Sequence, residues 1–369
     1  MMKGFSIDEA LKENNACFID VRSEGEFAEG SIPNAINMPL FTNEERAKVG
    51  TVYKQIGTEE AKRLGIKFAS PKLPVLYDQI LNLSKNKKVF LYCWRGGMRS
   101  KYISSILGSF GMDVHRIIGG YKAYRRHVHD YLDQAAIPHK CIVLHGLTGV
   151  GKTIVLQKLE AMGISTLDLE GLALHRGSAY GKIGLPESPS QKDFESCIVH
   201  HLKNAENFGV IVVECESRRV GKLIVPTSVL NAMAKGYRVL MYASLEARVQ
   251  RITKEYTNGP DNNIKGLQYS TSLLRKSLGN KVVNELNQKI EERKFSEVIL
   301  FLLRNYYDPL YKYPDSSSNG YDLTVDCDEL DEATSKIANW ISQLPEYGKP
   351  VEDGGDDRAN RGSIKECEE

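Results

Sequence analysis

The chain has 369 residues, 41% of them apolar and 26% charged, with a formal net charge of +2. That length suits about two ordinary domains, and the composition is that of a globular protein rather than a disordered or fibrous one. No apolar run approaches the roughly 20 residues of a membrane span, and the N-terminal stretch turns acidic at Asp8 and Glu9 before an export signal can form, so no membrane partner and a cytoplasmic location are expected.

In chain order, residues 17–21 form an apolar run expected as a buried strand, and 30–37 a turn feeding a second short strand. Residues 89–92 predict a third strand. A helix is expected over 98–110, because Ile103, Ile106, Leu107 and Phe110 share one face and Gly111 stops it. Residues 114–118 supply a last strand. Strands alternating with helices imply an α/β domain with a mostly parallel sheet, whose sites lie at the carboxyl ends of strands.

The stretch 119–140 is expected to be a basic helical connector, with Lys122, Arg125, Arg126, His127, His129 and His139 among Tyr121, Tyr124 and Tyr131. Beyond it the alternation resumes: strand at 141–145, helix at 152–162, strand at 165–169, helix at 191–207, strands at 210–215 and 239–243. A further helix begins at 245, with Glu246, Arg248 and Arg251 expected to face water, and residues 262–345 are expected to be mainly helical. The predicted organisation is an N-terminal α/β domain over 1–135, then an α/β domain with a helical C-terminal extension over 136–346. An acidic tail over 347–369 is expected to be disordered.

Seven cysteines, at 17, 93, 141, 197, 215, 327 and 367, include no C-x-x-C pair, which argues against a disulfide framework or a structural zinc site. Cys93 is distinctive. It follows the 89–92 strand and opens Cys93-Trp94-Arg95-Gly96-Gly97-Met98-Arg99-Ser100. Glycines allow successive backbone N–H groups to converge on an anion, and arginines add charge, so the loop reads as an anion nest with a nucleophilic thiol at its lip.

A second loop, Gly146-Leu147-Thr148-Gly149-Val150-Gly151-Lys152-Thr153, has the G-x-x-x-x-G-K-T pattern between a strand and a helix. Backbone amides, the helix N-terminus and Lys152 then hold phosphate oxygens, and Thr153 is placed to ligate Mg²⁺. The acidic strand end expected of an ATPase is Glu214 rather than aspartate. Asp168, His175 and Arg176 follow one strand of this module, and Glu214, Ser217, Arg218 and Arg219 follow another, so all seven are expected around one pocket beside the phosphate loop.

Residues 1 to about 130 resemble a rhodanese domain, on the Cys93 loop and on Asp20-Val21-Arg22-Ser23-Glu24-Gly25-Glu26-Phe27 followed by Gly30-Ser31-Ile32-Pro33-Asn34-Ala35-Ile36-Asn37. Ser31 stands where many rhodaneses carry histidine. Joined to the phosphate loop and the clusters His175-Arg176-Gly177-Ser178-Ala179 and Glu216-Ser217-Arg218-Arg219, with the insertion around residues 43–55, the pattern resembles the bacterial tRNA 2-selenouridine synthases.

That resemblance implies an enzyme that replaces the sulfur of wobble 2-thiouridine with selenium from selenophosphate, through an S-geranyl intermediate made from geranyl diphosphate. It implies the selenium step for Cys93, an anion loop of Trp94, Arg95, Gly96, Gly97, Met98 and Arg99, and phosphate binding by Gly146, Gly149, Gly151, Lys152 and Thr153. Selenophosphate and geranyl diphosphate would be co-substrates rather than tightly bound cofactors. The anticodon loop of tRNA and a selenophosphate-supplying enzyme would be partners, with the 119–140 connector offering charge for phosphates and tyrosine rings for unstacked bases, or else serving only as a solvated interdomain helix. Two other readings stay open from the residues alone: a sulfurtransferase with a regulatory phosphate-loop module, and a nucleotide-binding regulatory protein.

Overall fold

The apolar runs of the N-terminal third pair side by side. β1 (Gly4–Phe5), β2 (Ala16–Asp20), β3 (Ile36–Asn37), β4 (Lys88–Tyr92) and β5 (Val114–Ile117) form a five-stranded sheet in the order β1-β5-β4-β2-β3. Every pairing is parallel. The computed structural model describes residues 4–178, 180–257 and 264–351. Contacts divide the chain into two units, Met1–Asp133 with Pro189–His200, and Gln134–Ser188 with His201–Glu369.

In the first unit β4 is central and wholly buried from Val89 to Tyr92, as a strand covered on both faces must be. Its side chains pack with Ile19, Val21, Ile80, Ile103 and Leu107 in one core. The insertion around residues 43–55 is a helix, Asn43–Gln55, started by a capping box between Thr42 and Glu45. β1 was not expected; two residues are too few to show an alternating pattern.

Residues Pro189–His200 belong with this unit, which a boundary at 135 does not anticipate. Three polar contacts hold them there. The Ser31 amide donates to Asp193 at 2.9 Å, Ser190 donates to the Glu29 carbonyl at 3.0 Å, and Arg125 pairs with Glu195 at 2.5 Å. The expected connector is a helix, Gly120–Leu132, of this same unit. Its tyrosines are not free to stack on bases, because Tyr121, Tyr124 and Tyr131 are the helix's buried face. His139 is also buried.

The second unit carries β6 (Lys140–His145), β7 (Thr166–Leu167), β8 (Val210–Glu214), the antiparallel pair β9 (Arg219–Val220) and β10 (Leu223–Ile224), β11 (Tyr237–Tyr242) and β12 (Leu323–Asp326). Its main sheet runs β12-β11-β6-β8-β7 and is parallel throughout. β12 lies inside the stretch expected to be helical, and it pairs with β11 from Val239↔Leu323 to Tyr242↔Asp326. The helices Ile264–Leu273, Asn280–Glu291 and Phe295–Leu302 share a separate core that includes Leu267, Leu286, Ile290, Val298 and Leu302.

Arg248 does not face water; it is 2% exposed and paired with Asp308. The start of the expected disordered tail is ordered, since the Gly348 amide donates to the Phe208 carbonyl at 3.0 Å and Val351 to Glu206 at 2.8 Å. The rest of that tail, 352–369, lies outside the described residues, as does Ala179. Among the described residues no helix is long and apolar enough to cross a membrane.

Candidate functional site

Cys93 ends β4 and is 3% exposed, with its Sγ 3.3 Å from Ser100 Oγ. Ser100 sits in the first turn of the helix Met98–Ser109, so the thiol is held at a helix N-terminus, where partial positive charge favours an anion. The loop backbone is fixed from outside: Tyr121 N–H donates to the Cys93 carbonyl at 2.9 Å, Lys122 N–H to Trp94 at 2.9 Å, and Arg116 to Gly96 at 2.9 Å.

Gly120 permits this approach. It has φ +56, and an added Cβ would fall under 3.0 Å from both the Cys93 carbonyl oxygen and the Gly96 amide nitrogen. The two arginines of the loop differ. Arg95 is exposed, as are Trp94, Gly97 and Met98, whereas Arg99 is half-buried and bidentate on Glu26. Beneath the sheet end, Arg22 is fully buried on Asp20 and the Gly30 carbonyl, and its guanidinium lies 4.0 Å from the Tyr121 ring centre.

In the second unit the phosphate loop joins β6 to the helix Lys152–Ala161. Lys152 Nζ donates to the Gly146 carbonyl at 3.0 Å, folded back over the loop it closes. Gly146, Gly149, Gly151, Lys152 and Thr153 all line one cavity of about 770 Å³. Asp168, His175 and Arg176 line it too. Its remaining wall is apolar and aromatic, built by Leu267, Ile290, Val298, Ile299, Leu302, Tyr307 and Tyr311 among others.

Glu214 lies just behind, 1% exposed, and its Oε1 accepts from the Glu170 amide at 2.7 Å. Ser217, Arg218 and Arg219 are exposed and do not reach the cavity; Ser217 closes a turn onto Arg219 and leads into β9. Arg176 reaches it with its guanidinium engaged by Glu255 at 2.5 Å and the Ile183 carbonyl at 2.7 Å. The His175 Nδ1 accepts from the Gly177 amide at 3.1 Å, and burial, with Lys182, pushes its pKa down.

Two further acids that the sequence did not single out line the wall, Glu170 and Glu216. Burial and then the Glu216 charge raise Glu170 to about 8, against the pull of Lys152. Glu216 is itself raised by burial, with Lys152 opposing. Asp168 and Glu214 are a second pair of raised acids, Glu214 by burial and the Asp168 charge, and Asp168 by burial and Glu160 against the hydrogen bond from Glu214. The apolar wall was equally hidden, because it comes from helices more than a hundred residues downstream of the phosphate loop. Among the described residues no three His, Cys, Asp or Glu side chains are grouped so as to hold a metal ion.

Comparison with known proteins matches both units. Residues 6–127 fit the rhodanese-like domain model, and residues 139–343 fit the model described as the tRNA 2-selenouridine synthase AAA domain. Among curated relatives named tRNA 2-selenouridine synthase, that of Psychromonas ingrahamii is 34% identical over 322 residues, covering 80% of this chain and 87% of the relative. That of Pseudomonas syringae is 35% identical, covering 82% and 90%, and that of Azotobacter vinelandii 36%, covering 80% and 86%. With one model matching more than half of its length and such relatives spanning four-fifths of it, the chain belongs to the tRNA 2-selenouridine synthase family.

Proposed function

We propose that this enzyme exchanges the sulfur of wobble 2-thiouridine in tRNA for selenium in two steps, one at each loop. In the first, the 2-thio sulfur attacks C1 of geranyl diphosphate; the new C–S bond forms as the C1–O bond breaks, and diphosphate leaves. In the second, selenium from selenophosphate bonds to C2 of the base as the C2–S bond breaks and geranylthiol departs, and water then takes the phosphoryl group as the Se–P bond breaks, leaving 2-selenouridine and phosphate.

The observation that carries this reading is the composition of one cavity wall. Lys152, Thr153 and the phosphate-loop glycines meet Leu267, Ile290, Val298 and Leu302 around the same space. A diphosphate bearing an apolar chain matches both parts, because the loop amides and Lys152 stabilise the departing anion while the chain is removed from water. A nucleotide would satisfy the loop and leave the aliphatic wall without a partner. Glu214 also counts against an ATPase, since burial and Asp168 raise it well above the ordinary carboxylate range.

Cys93 takes the selenium step in this reading. Its burial at a helix N-terminus beside Ser100 suits a thiol that handles an anionic chalcogen, with exposed Arg95 offering charge to selenophosphate. The RNA contacts then fall to exposed cations rather than to tyrosines: Lys122 and Arg126 in the first unit, and Lys254, Arg275, Lys276 and Lys281 in the second. A selenophosphate-supplying enzyme belongs to the same scheme as the source of the second substrate.

The test is nucleoside mass spectrometry of a 2-thiouridine tRNA incubated with the enzyme, geranyl diphosphate and selenophosphate. Cys93→Ala should accumulate the S-geranyl nucleoside without selenation, and Lys152→Ala should yield neither product. Normal geranylation by Lys152→Ala would overturn the assignment of the phosphate loop.

A further inference from the structure

We infer that Glu216, hydrogen-bonded to Glu170 on the wall of the phosphate-loop cavity, is the base that takes the N3 proton of 2-thiouridine during alkylation; the inference rests on the function proposed above. The chemistry requires such a group. Alkylating the 2-thio sulfur leaves a neutral base only if N3 gives up its hydrogen, so one proton must go somewhere as the C–S bond forms. Diphosphate takes the electron pair of the broken C–O bond, and the N3–H electron pair becomes the N3=C2 double bond. The proton passes to a carboxylate.

Glu170 and Glu216 come from different strand ends and converge. A Cβ placed on Gly177 would fall under 3.0 Å from Glu170 Oε1 and 3.4 Å from Glu216 Oε1, so both carboxyl groups close over one backbone point. Both line the same cavity as Lys152 and Thr153. Glu170 gives the proton of the pair and Glu216 accepts it: their hydrogen bond raises Glu170 and lowers Glu216, and Glu170 reaches about 8. Burial leaves Glu216 raised as well, but of the two it is the end that accepts, with Lys152 favouring its ionised form.

Behind the pair, Glu214 has a buried Oε2 that no amide, hydroxyl or cation satisfies, while its Oε1 holds the Glu170 amide at 2.7 Å. A proton shared with Asp168 satisfies that oxygen: burial and the Asp168 charge raise Glu214, while the hydrogen bond between the two acids lowers Asp168, which burial and Glu160 otherwise raise. Glu214 thus fixes the Glu170 backbone from behind the wall. The other groups facing the pair are Lys152, which favours its ionised form, and Tyr256, Tyr311, Tyr313 and Cys215, whose own ionisation the acids oppose.

The experiment is the single-turnover rate of S-geranylation by the full chain, measured from acid to alkaline pH, on an anticodon stem-loop RNA with one 2-thiouridine. At neutral pH Glu216→Gln should slow the step by about 10²–10⁴-fold, the usual worth of a positioned base, with affinity for geranyl diphosphate unchanged. The deficit should close as the pH rises and N3 ionises unaided. Glu170→Gln, whose amide still donates to Glu216, should stay within about tenfold of the unaltered enzyme. A Glu216→Gln rate equal to the unaltered enzyme, a deficit constant with pH, or a Glu170→Gln loss as large as that of Glu216→Gln would each overturn the assignment. Absence of S-geranyl product from the unaltered enzyme would instead remove the proposed function, and this inference with it.

Discussion

Arg99 binds Glu26 with both arms of its guanidinium, Nη1 to Oε2 at 2.6 Å and Nη2 to Oε1 at 3.0 Å. The pair ties the helix after the thiol loop to the helix Glu24–Ala28, whose capping box Glu26 also completes. Arg99 is therefore a strut of the loop, and its charge is already neutralised at the point where the sequence pattern offered it to an anion.

Burial raises the Glu26 pKa, but the Arg99 hydrogen bond and charge, with the Ser23 amide and Arg46, outweigh that and leave it below the ordinary value. A depressed carboxylate contributes stability that is present above its unfolded pKa, about 4.3, and lost as the pH falls through its folded value. Arg99→Ala should therefore cost about 1.5–3 kcal/mol at pH 7, and the gap from the unaltered protein should shrink below about pH 4. Urea midpoints at both pH values check this. Arg95→Ala, at an exposed position, should leave those midpoints unchanged and weaken selenation alone.

Gly120 places a backbone, not a side chain, against the thiol loop. With φ +56 and under 3.0 Å between an added Cβ and the Cys93 carbonyl oxygen, Gly120→Ala combines left-handed strain with a clash against main chain. The expected cost is at least about 2 kcal/mol. Because the second unit holds the phosphate loop, geranylation should survive in this variant at temperatures where the first unit still folds, while selenation falls. Loss of geranylation with selenation intact would contradict that division.

Both loops were legible in the sequence because each is a contiguous run of glycine, cation and nucleophile between a strand and a helix, a signal carried by local spacing. The apolar wall of the cavity was not. Leu267, Val298 and Leu302 sit at ordinary helical spacings, and nothing in such spacing tells a core face from a ligand face. The Glu170–Glu216 pair was invisible for the same reason: 46 positions apart in the chain, the two acids meet only through the β7 and β8 strand ends. Arg248 was misread as solvated because its partner, Asp308, lies 60 residues away. The connector's tyrosines misled through composition, since basic and aromatic residues on one helix suggest RNA, whereas periodicity puts the aromatics on its buried face.

Arg248 joins two parts of the second unit to the phosphate loop. Its Nε donates to the Thr148 carbonyl at 2.8 Å while its Nη atoms take both oxygens of Asp308 at 2.5 and 3.0 Å. At 2% exposure, an arginine that loses its carboxylate remains as an unpaired buried charge, so Asp308→Asn should destabilise the protein by about 3–5 kcal/mol. The loop carbonyl then loses a fixed donor, and geranyl diphosphate binding should weaken. Arg248→Lys cannot serve both partners and should show the same binding defect with a smaller loss of stability. Urea denaturation and isothermal titration with geranyl diphosphate separate the two effects.

The cavity wall should select chain length. Val298 is 4% exposed, lines the cavity and packs in the C-terminal helical core, so Val298→Phe puts an aromatic ring into space the proposed geranyl chain occupies. Overpacking of this kind costs about 1–3 kcal/mol, and the part borne by the ligand site appears as lost affinity, tenfold for each 1.4 kcal/mol. The KM for geranyl diphosphate should rise by about tenfold or more, while dimethylallyl diphosphate, half as long, keeps its KM. Equal increases for both would place the prenyl chain elsewhere and leave only the diphosphate at the loop.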